Sequence, residues 1–352
     1  MKSQDVTRYI IQDDLTILQA IEAIDKSERG IVFACKGRRL LFAISDGDIR
    51  RYILKNGDLS ANIGVMALGS PCFLLEKDKE KASQMADEYF INAIPIVNKE
   101  HDIVDVYFKR EPLDIKNRMN VPVVIMAGGK GTRLYPYTKI LPKPLIPVGE
   151  TPIIERIINS FTEYGINQFY LTVNYKKGMI RSYFSDIDPD YNICYVEEEK
   201  PLGTGGSIKL IPDRFDKPLF VTNCDALVLA DYFDIYNYHK KTGNDITMVS
   251  ALKNIVVPYG VVYTGDNGII KRMEEKPKLS YFINTGMYVI NPDTIDMIPD
   301  DTMFHMTQLI EKVMRNGGKV GTYPISEDSF LDMGEFEELK RMEQKLNIIS
   351  DK

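Results

Sequence analysis

A strand followed first by a glycine-rich loop and then by closely spaced prolines constrains this chain more than any other feature. The apolar segment VVIMA runs into GGKGTRL at residues 128–134. The prolines that follow are Pro136, Pro142, Pro144 and Pro147. Because proline lacks an amide hydrogen and clashes with the preceding helical turn, these residues exclude a regular helix over about twenty positions. We therefore expect extended chain across the ends of the strands.

The same stretch combines backbone freedom with positive charge, which indicates an anionic ligand. Glycine lets backbone N–H groups approach a ligand without a Cβ clash, and Arg133, Lys139 and Lys143 lie in or near the loop. Two common phosphate loops do not fit. The GxGxxG fingerprint needs other glycine spacings and opens directly into a helix, and GxxxxGK[ST] needs a Lys-Ser or Lys-Thr pair that is absent here. A nicotinamide-dependent dehydrogenase is therefore excluded.

From residue 121 onwards, short apolar strands alternate with helical segments. The strand candidates are VVIMA, FYLTVN, ICYVE, LFVTN and ITMVSAL, and the clearest helix candidates are PIIERIINSFTEYG and MIRSYFSD. Nearly continuous apolar strands separated by helices are typical of a mostly parallel sheet that is covered on both faces. We predict an α/β, Rossmann-like domain over residues 121–352.

The first part of the chain contains a weak internal repeat. The order helix, strand, turn, strand occurs twice, about sixty residues apart, first at TILQAIEAIDKSERG–IVFAC–RLLFAIS and then at KASQMADEYFINA–IPIVN–IVDVYF. One such unit cannot bury a face alone, so the two should pack together as one small α+β domain. We assign this domain to residues 1–112 and a polar linker to residues 113–120.

Composition and charge narrow the class of protein. The chain has 352 residues, enough for two domains, and a formal net charge of −6, which argues against a general nucleic-acid binder. Its four cysteines include no CxxC pair, as expected in a reducing cytosol. The N-terminus lacks a signal-peptide core, and no apolar run approaches the ~18 residues of a membrane helix. We expect a soluble cytoplasmic protein without a nucleic-acid or membrane partner.

The segment GGKGTRLYPYTKILPKPL resembles the signature of sugar-1-phosphate nucleotidyltransferases, GGxGTRLxPxTxxxPKPL, and matches every defined position. That family joins a nucleoside triphosphate to a sugar 1-phosphate and releases pyrophosphate. The resemblance implies that Arg133 holds the β- and γ-phosphates and that Lys143 lies near the α-phosphate. It also implies that the nucleotide is bound by Ala127, Gly128, Gly129, Gly131 and Thr132.

Further segments resemble the family in the expected order. EEEKPLGTGGSIKL resembles its second glycine loop, followed by a helix, and would place Gly203 near the nucleotide. The segments NCD and FLDMG resemble its metal-binding positions, although the family more often has glycine before the first aspartate and tryptophan in place of Phe330. The resemblance implies that Asp225 and Asp332 bind Mg²⁺, which prefers carboxylates together with substrate phosphates.

The sugar site is implied by two segments, VVPYGVVYTGDNGIIKRMEEKP and FINTGMYVIN. By resemblance, Lys276 grips the phosphate of the sugar. The residues implied to contact the sugar itself are Gly260, Glu275, Asn284 and Gly286. Because a sugar phosphate is already an anionic nucleophile, no general base is needed. His101, His239 and His305 are interpreted as structural or surface residues.

The substrates follow less directly. A carboxylate only accepts hydrogen bonds, so Glu198 suits guanine, which offers two adjacent donors, and makes GTP the first candidate. Glu197, Glu199 and a solvated acidic turn compete for this role. By analogy the sugar is an amino sugar such as glucosamine 1-phosphate, or mannose 1-phosphate. The alternatives are a UTP-, CTP- or dTTP-dependent transferase, a sensor or scaffold with a silent transferase fold, and a sugar-phosphate binding module that never turns over.

The N-terminal repeat resembles a pair of CBS (Bateman) motifs. Its most specific part is FAISDGDIRRYI, in which Ser45 and Asp48 match the positions that hold the ribose of an adenosine-type ligand. The second half lacks this signature. The alternatives are that Ser45 and Asp48 cap a helix and that the module only mediates assembly. Such pairs often associate face to face, so we expect a homo-oligomer, a dimer or larger. The resemblance also implies an adenine nucleotide as regulator.

Overall fold

The structure is a computed structural model, and it describes residues 6–27, 29–56, 58–66, 68–89, 91–109, 118–187, 189–334 and 336–346. The chain divides into two compact units, Met1–Asp114 and Ile115–Lys352. Of the predicted linker 113–120, residues 113–117 lie outside the described residues. Met119, near its end, is 6% exposed and packs in the core of the second unit.

The first unit is built from two similar halves. Its strands are β1 (Ile10–Gln12), β2 (Ile31–Lys36), β3 (Arg39–Ser45), β4 (Leu74–Leu75), β5 (Ala93–Val97) and β6 (Ile103–Phe108). Its helices are α1 (Ile17–Ser27), α2 (Asp46–Asn56) and α3 (Ala82–Glu88). In each half the first strand pairs in parallel with the second, and the second pairs antiparallel with the third. The repeat seen in the sequence is therefore also a repeat of topology.

The two halves share one hydrophobic core. Phe33 and Cys35 from β2 pack in the same cluster as Val97 and Ile103 from the second half. The hairpins also exchange backbone hydrogen bonds, from the Leu40 amide to the His101 carbonyl and from the Ile103 amide to the Arg38 carbonyl, both at 3.0 Å. Neither half buries its apolar face alone, as the repeat predicted.

The second unit is an α/β structure. Its strands are β7 (Val123–Met126), β8 (Pro147–Val148), β9 (Thr151–Pro152), β10 (Gln168–Val173), β11 (Asn192–Glu197), β12 (Leu219–Asn223), β13 (Ala226–Val228), β14 (Ile246–Val256), β15 (Gly260–Thr264), β16 (Ile270–Glu275), β17 (Lys278–Ile290), β18 (Val320–Ile325) and β19 (Phe330–Asp332). Its helices are α4 (Tyr137–Ile140), α5 (Ile153–Thr162), α6 (Lys177–Ile187), α7 (Gly203–Gly206), α8 (Tyr232–Thr242), α9 (Met306–Arg315) and α10 (Phe336–Lys345).

In the described part of the second unit, seven strands form the central sheet, in the order β11-β10-β7-β12-β17-β14-β18. Only β17 runs antiparallel to its neighbours, β12 and β14. The prediction of a mostly parallel sheet is confirmed. Helices α5, α6 and α8 pack on one face, and α9 packs on the other. None of the helices described in either unit is both long and apolar enough to cross a membrane.

Local sequence explains where several helices begin and end. In α5 the buried side chains Ile154, Ile157, Ile158 and Phe161 recur at three- and four-residue spacing, which places them on one face. Helix α8 begins after Asp231, whose carboxylate accepts from the amides of Phe233 and Asp234. It ends at Gly243, which adopts the left-handed conformation.

The proline-rich stretch crosses the strand ends without a regular helix. It contains one helical turn, α4, between Pro136 and Pro142, and short 3-10 turns at Thr132–Leu134 and Lys143–Leu145. The expectation drawn from the prolines is confirmed, because no helix in this stretch exceeds a single turn.

Candidate active site

A cavity of about 350 Å³ lies where the carboxyl ends of β7, β10 and β12 meet. This is the edge at which open parallel sheets bind ligands. The predicted residues that line the cavity are Gly128, Gly129, Gly131, Thr132, Arg133, Lys143, Glu198, Gly203 and Asp225. Ala127 is not among the lining residues. It is fully buried, and its amide donates to the Thr172 carbonyl at 2.9 Å.

The glycine loop packs tightly against the lysine of the proline segment. Gly131 has φ +64°, and a Cβ there would lie 2.9 Å from Cβ of Lys143 and 2.9 Å from Cγ2 of Thr138. Lys143 is only 7% exposed. Its Nζ lies 2.5 Å from Oδ2 of Asp225. The loop, the proline segment and the end of β12 therefore meet at one partly buried ion pair.

Glu198 is a buried carboxylate in the wall of this cavity. It is 7% exposed, and Oε2 accepts from the Leu202 amide at 3.1 Å. Oε1 lies 2.6 Å from the position that a Cβ on Gly128 would take, so any larger residue there would displace the Glu198 carboxylate. Burial raises the pKa of Glu198.

The neighbours of Glu198 have different environments. Glu197 is exposed and pairs with Lys177 and Arg181, both at 2.6 Å. Glu199 is also exposed. Of the three consecutive glutamates, only Glu198 points into the protein.

A second cavity, of about 280 Å³, adjoins the first. The predicted residues in its wall are Arg133, Asp225, Asn284, Gly286 and Asp332. Arg133, Thr204, Asn223 and Asp225 line both cavities. Molecules bound in the two cavities would therefore share these four residues as neighbours.

The two aspartates are brought together by a short strand pair. Strands β13 and β19 pair antiparallel with Ala226 opposite Asp332, and Asp225 precedes Ala226 directly. Burial raises the pKa of Asp332, and so does the negative charge of Asp225, whereas Lys143 and Arg133 act to lower it. A Cβ on Gly334 would lie 3.0 Å from Oδ2 of Asp332 and 3.2 Å from Nη1 of Arg133.

A register shift in the sheet positions the predicted asparagine. The register of β14 against β17 shifts between Met248, which lies opposite Tyr288, and Ser250, which lies opposite Asn284. The Asn284 amide donates to the Tyr288 hydroxyl at 2.6 Å, and its oxygen accepts from the Gly286 amide at 2.9 Å. Such irregularities re-aim side chains near functional sites.

Three predicted residues lie on or beside the hairpin of β15 and β16 and line neither cavity. Gly260 pairs with Glu275 across this hairpin, and a Cβ on Gly260 would lie 2.9 Å from Oε2 of Glu275. Lys276 has φ +47°, a conformation that costs free energy for a non-glycine residue. The structure brings together the residues predicted to bind phosphate and those predicted to bind metal. It leaves these three on a separate element.

The profile of the nucleotidyl transferase family matches residues 122–347. This chain belongs to the nucleotidyl transferase family.

The relatives are transferases with different nucleotides in their names. The mannose-1-phosphate guanyltransferase of Debaryomyces hansenii is 35% identical over 184 residues, which are 50% of this chain and 51% of that protein. The UTP--glucose-1-phosphate uridylyltransferase of Synechocystis is 34% identical over 214 residues, which are 55% of each chain. This chain spans about half the length of the curated relatives it matches.

Solved structures share the fold. A putative glucose-1-phosphate thymidylyltransferase from Bacillus anthracis has a TM-score of 0.52 at 21% identity, covering 66% of this chain and 97% of that one. HddC from Yersinia pseudotuberculosis has a TM-score of 0.50 at 24% identity, covering 64% of this chain and 99% of that one. This chain thus shares its fold with both of these solved structures.

Sequence analysis of this nucleotidyl transferase missed several residues in the cavity walls. Thr172 and Asn223 come from the carboxyl ends of β10 and β12, a position that could have identified them. Thr204, Tyr288 and His305 also line a cavity. His305 was interpreted as structural or surface. It is exposed and caps α9, but it also forms part of the wall of the second cavity.

The second glycine segment folds differently from the expectation. Instead of a loop followed by a helix, Gly203–Gly206 is itself the helical turn α7, continued by a 3-10 turn at Ser207–Leu210. The amides of Gly205 and Gly206 donate to the Phe304 carbonyl at 2.8 and 2.9 Å. A Cβ on Gly206 would lie 2.7 Å from the Thr302 carbonyl oxygen, so the turn needs glycine to pack this closely.

In the first unit, Ser45 and Asp48 form a helix cap. Ser45 Oγ accepts from the Asp48 amide at 3.3 Å, and Asp48 Oδ2 accepts from the Ser45 amide at 2.9 Å and from its hydroxyl at 2.6 Å. Arg51 contacts the other oxygen of Asp48 at 2.5 Å. This reciprocal pattern is a capping box at the start of α2.

Proposed function

We propose that this protein transfers the guanylyl group of GTP to a sugar 1-phosphate, with mannose 1-phosphate as the first acceptor to test. A phosphate oxygen of the sugar 1-phosphate attacks the α-phosphorus of GTP. The bond from that phosphorus to the oxygen bridging the β-phosphate breaks, and its electron pair leaves with pyrophosphate. No proton needs to be removed, because the nucleophile is already an anion.

The observation that carries the choice of GTP is the buried carboxylate of Glu198 in the wall of the larger cavity. A carboxylate in this environment offers only acceptors. Guanine presents the N1–H and the exocyclic amine side by side, whereas uracil and thymine present one N–H between two carbonyls. Uracil or thymine would therefore bring carbonyl oxygens against the buried Glu198, which is costly. The names of several relatives, which are mannose-1-phosphate guanyltransferases, favour the same nucleotide.

The phosphates of GTP would meet Arg133 and Lys143. The planar guanidinium of Arg133 suits two phosphate oxygens at once, and we assign it to the β- and γ-phosphates. Lys143 follows Pro142 and is almost completely buried, so its ammonium is held in place beforehand. We assign Lys143 to the α-phosphate, where a fixed positive charge stabilises the negative charge that develops in the transition state.

A divalent cation fits between Asp225 and Asp332. The two carboxylates lie close enough for Asp225 to raise the pKa of Asp332, and both line the smaller cavity. Among the described residues, no group of three or more His, Cys, Asp or Glu side chains could hold a metal alone. Two carboxylates completed by substrate phosphates and water are a typical arrangement for Mg²⁺. Bound there, Mg²⁺ would neutralise phosphate charge and polarise the α-phosphate.

The smaller cavity is assigned to the sugar 1-phosphate. Asn284 and Gly286 line it, and we propose that they contact the sugar. Gly260, Glu275 and Lys276 are assigned to the sugar and its phosphate by family resemblance, which requires their hairpin to approach the cavity when substrate binds. The strained conformation of Lys276 supports a functional role, because such strain clusters at binding sites.

The second candidate is a UTP-dependent transferase, which the name of the Synechocystis relative favours. The test is pyrophosphate release with Mg²⁺, crossing GTP, UTP, CTP, dTTP and ATP with hexose and hexosamine 1-phosphates, and with Asp225→Asn as the blank. We expect release with GTP. If no pair of substrates in the panel releases pyrophosphate, the proposed activity is contradicted and a non-catalytic scaffold is favoured.

The variant that tests the role of Glu198 is Glu198→Gln, and its matched control is Glu199→Gln on the exposed neighbour. We expect Glu198→Gln to lower kcat/KM for GTP by about 10- to 100-fold, since a charge-assisted hydrogen bond is lost, and to raise it for UTP. Glu199→Gln should change neither. An unchanged GTP preference in Glu198→Gln would contradict base recognition by Glu198 and leave the reaction class intact.

For the first unit we propose regulation by an adenine nucleotide held at Ser45 and Asp48. The resemblance to CBS pairs supports this, whereas the capping box shows that both side chains also have a structural role. We further propose a homo-oligomer that acts in the cytoplasm.

A further inference from the structure

The residue that caps helix α9 also faces the smaller cavity. His305 precedes the first residue of α9, and its carbonyl oxygen accepts from the Gln308 amide at 3.0 Å. In return, the Gln308 side chain accepts from the His305 amide at 2.8 Å. The backbone of His305 is thus fixed at the start of α9, and the residue forms part of the wall of the smaller cavity.

A long hydrogen bond favours one tautomer of the His305 imidazole. The Thr204 amide donates to Nδ1 of His305 over 3.5 Å. An accepting Nδ1 cannot bear a proton, so in the neutral ring the proton is on Nε2. His305 is therefore a hydrogen-bond donor through Nε2.

The ring is fixed on its other side by the glycine turn α7. A Cβ on Gly203 would lie 3.0 Å from Nδ1 of His305 and 2.8 Å from the Phe304 carbonyl oxygen. Thr204 Oγ1 accepts from the Met306 amide at 3.1 Å. The residues on both sides of His305 are thus bonded to the turn that also lines the larger cavity, which limits how far the ring can move.

We propose that His305 determines which sugar 1-phosphate is accepted as substrate. Its Nε2 donates a hydrogen bond to an oxygen substituent on the sugar ring. This rests on the proposed function, because it takes the smaller cavity as the site of the sugar 1-phosphate. Asn284 and Tyr288 in the same wall are engaged with each other at 2.6 Å. His305 selects a sugar that carries a hydroxyl or carbonyl oxygen at the position it faces, and it discriminates against the analogue without that oxygen.

The test separates the donor from the helix cap with two variants. In His305→Asn the side-chain oxygen can cap α9, since asparagine is among the best N-caps, but Nε2, the donor assigned to the sugar, is removed and the shorter amide does not reach its position. In Gln308→Ala the other half of the capping box is lost and the imidazole stays. Calorimetry then measures the Kd of mannose 1-phosphate, glucose 1-phosphate and their monodeoxy analogues for the wild type and both variants.

We expect His305→Asn to weaken binding of the preferred sugar 1-phosphate about tenfold, which corresponds to one hydrogen bond, with the Kd of GTP unchanged. For the wild type, one monodeoxy analogue should bind about tenfold more weakly than the preferred sugar 1-phosphate. For His305→Asn, that analogue and the preferred sugar 1-phosphate should have the same Kd. Gln308→Ala should lower Tm and leave all Kd values as in the wild type.

Two results would overturn the proposal in different ways. If His305→Asn binds every sugar 1-phosphate and analogue as the wild type does, His305 is only a helix cap and the proposed reaction stands. If the wild type neither binds nor turns over any sugar 1-phosphate, the proposed function fails and this inference fails with it.

Discussion

At the scale of single residues, the site depends on glycines placed where a Cβ would collide with a functional side chain. Gly286 has φ +79°, and a Cβ there would lie 2.4 Å from Nδ2 of Asn223. Asn223 lines both cavities. The conformation and the crowding both exclude other residues, because the left-handed region is unfavourable for residues with a Cβ.

Gly286→Ala should therefore reduce both stability and sugar binding. Overpacking of this kind costs about 1–3 kcal/mol, and displacement of Asn223 should raise KM for the sugar 1-phosphate. The control is Gly178→Ala in α6, where a Cβ would meet nothing within 4 Å. Thermal unfolding and initial rates check both variants, and equal Tm values for the two would contradict the steric argument.

A buried histidine makes stability depend on pH. His239 is 1% exposed, and its ring nitrogens lie 2.9 Å from Oγ1 of Thr247 and 3.0 Å from Oδ1 of Asn291. Burial lowers the pKa of His239 below its ordinary value, although Asn291 and the charge of Asp245 oppose the shift. Below pH 6.5, the unfolded chain then binds a proton that the folded protein does not.

We expect stability to fall as pH drops below about 6.5, with this histidine contributing at most about 1.4 kcal/mol per pH unit. His239→Gln should be less stable at pH 7.5 but should lose less stability between pH 7 and 5. Melting temperatures across that range test this, and parallel curves for the wild type and the variant would show that His239 does not titrate with folding.

At the scale of elements, a lysine that follows one strand holds the turn in the proline segment. Nζ of Lys176 donates to the carbonyls of Lys139 and Ile140, both at 2.6 Å, at the end of α4. The hydroxyl of Tyr175 donates to the Thr138 carbonyl at 3.1 Å. The last carbonyls of a helix lack partners within it, so these bonds stabilise α4.

Lys176→Met should loosen the segment between the glycine loop and Lys143. We expect KM for GTP to rise several-fold and proteolysis near residues 135–141 to become faster, with kcat changed less. Lys177→Met is the matched control, because Lys177 pairs with the exposed Glu197 instead. If both variants behave alike, the bonds to α4 have no influence on the nucleotide site.

Secondary structure was predictable where one element contains its own signal. The buried spacing of α5 and the apolar run of β7 are local, as is the exclusion of helix by the prolines. The turn α7 was mispredicted, and the amides of two of its glycines are paired with the carbonyl of Phe304, about a hundred residues away. The sequence of residues 203–206 does not indicate that Phe304 is their hydrogen-bond partner.

At the scale of the whole molecule, the proposed role of the first unit is to bind an adenine nucleotide at Ser45 and Asp48. If Ser45 and Asp48 hold a nucleotide, AMP or ATP should raise Tm, and Asp48→Ala should abolish that rise. Asp48→Asn retains an oxygen that can accept from the Ser45 amide, so it should keep more of the cap. The relevant quantity is the nucleotide-induced change in Tm, since loss of the cap alone lowers Tm by itself.

If no adenine nucleotide shifts Tm in the wild type, the regulatory proposal fails, and assembly remains as the role to test by measuring the mass in solution. If the shift persists in Asp48→Ala, the nucleotide binds elsewhere. Because the chain has two compact units, these experiments should follow each unfolding transition separately.

The consecutive residues of this chain were enough to establish its fold class, its repeat and the signature loop, because hydrophobic period, proline and glycine act over short distances. Resemblance to the family's motifs added Asp225 and Asp332 as candidates, and the acceptor chemistry of a carboxylate added Glu198. Folding alone decided that β13 and β19 set the two aspartates side by side, that Glu198 is buried while Glu197 is paired at the surface, and that His305 enters a cavity wall. These facts depend on contacts between segments far apart in sequence, and no local pattern determines burial or distance across such a separation.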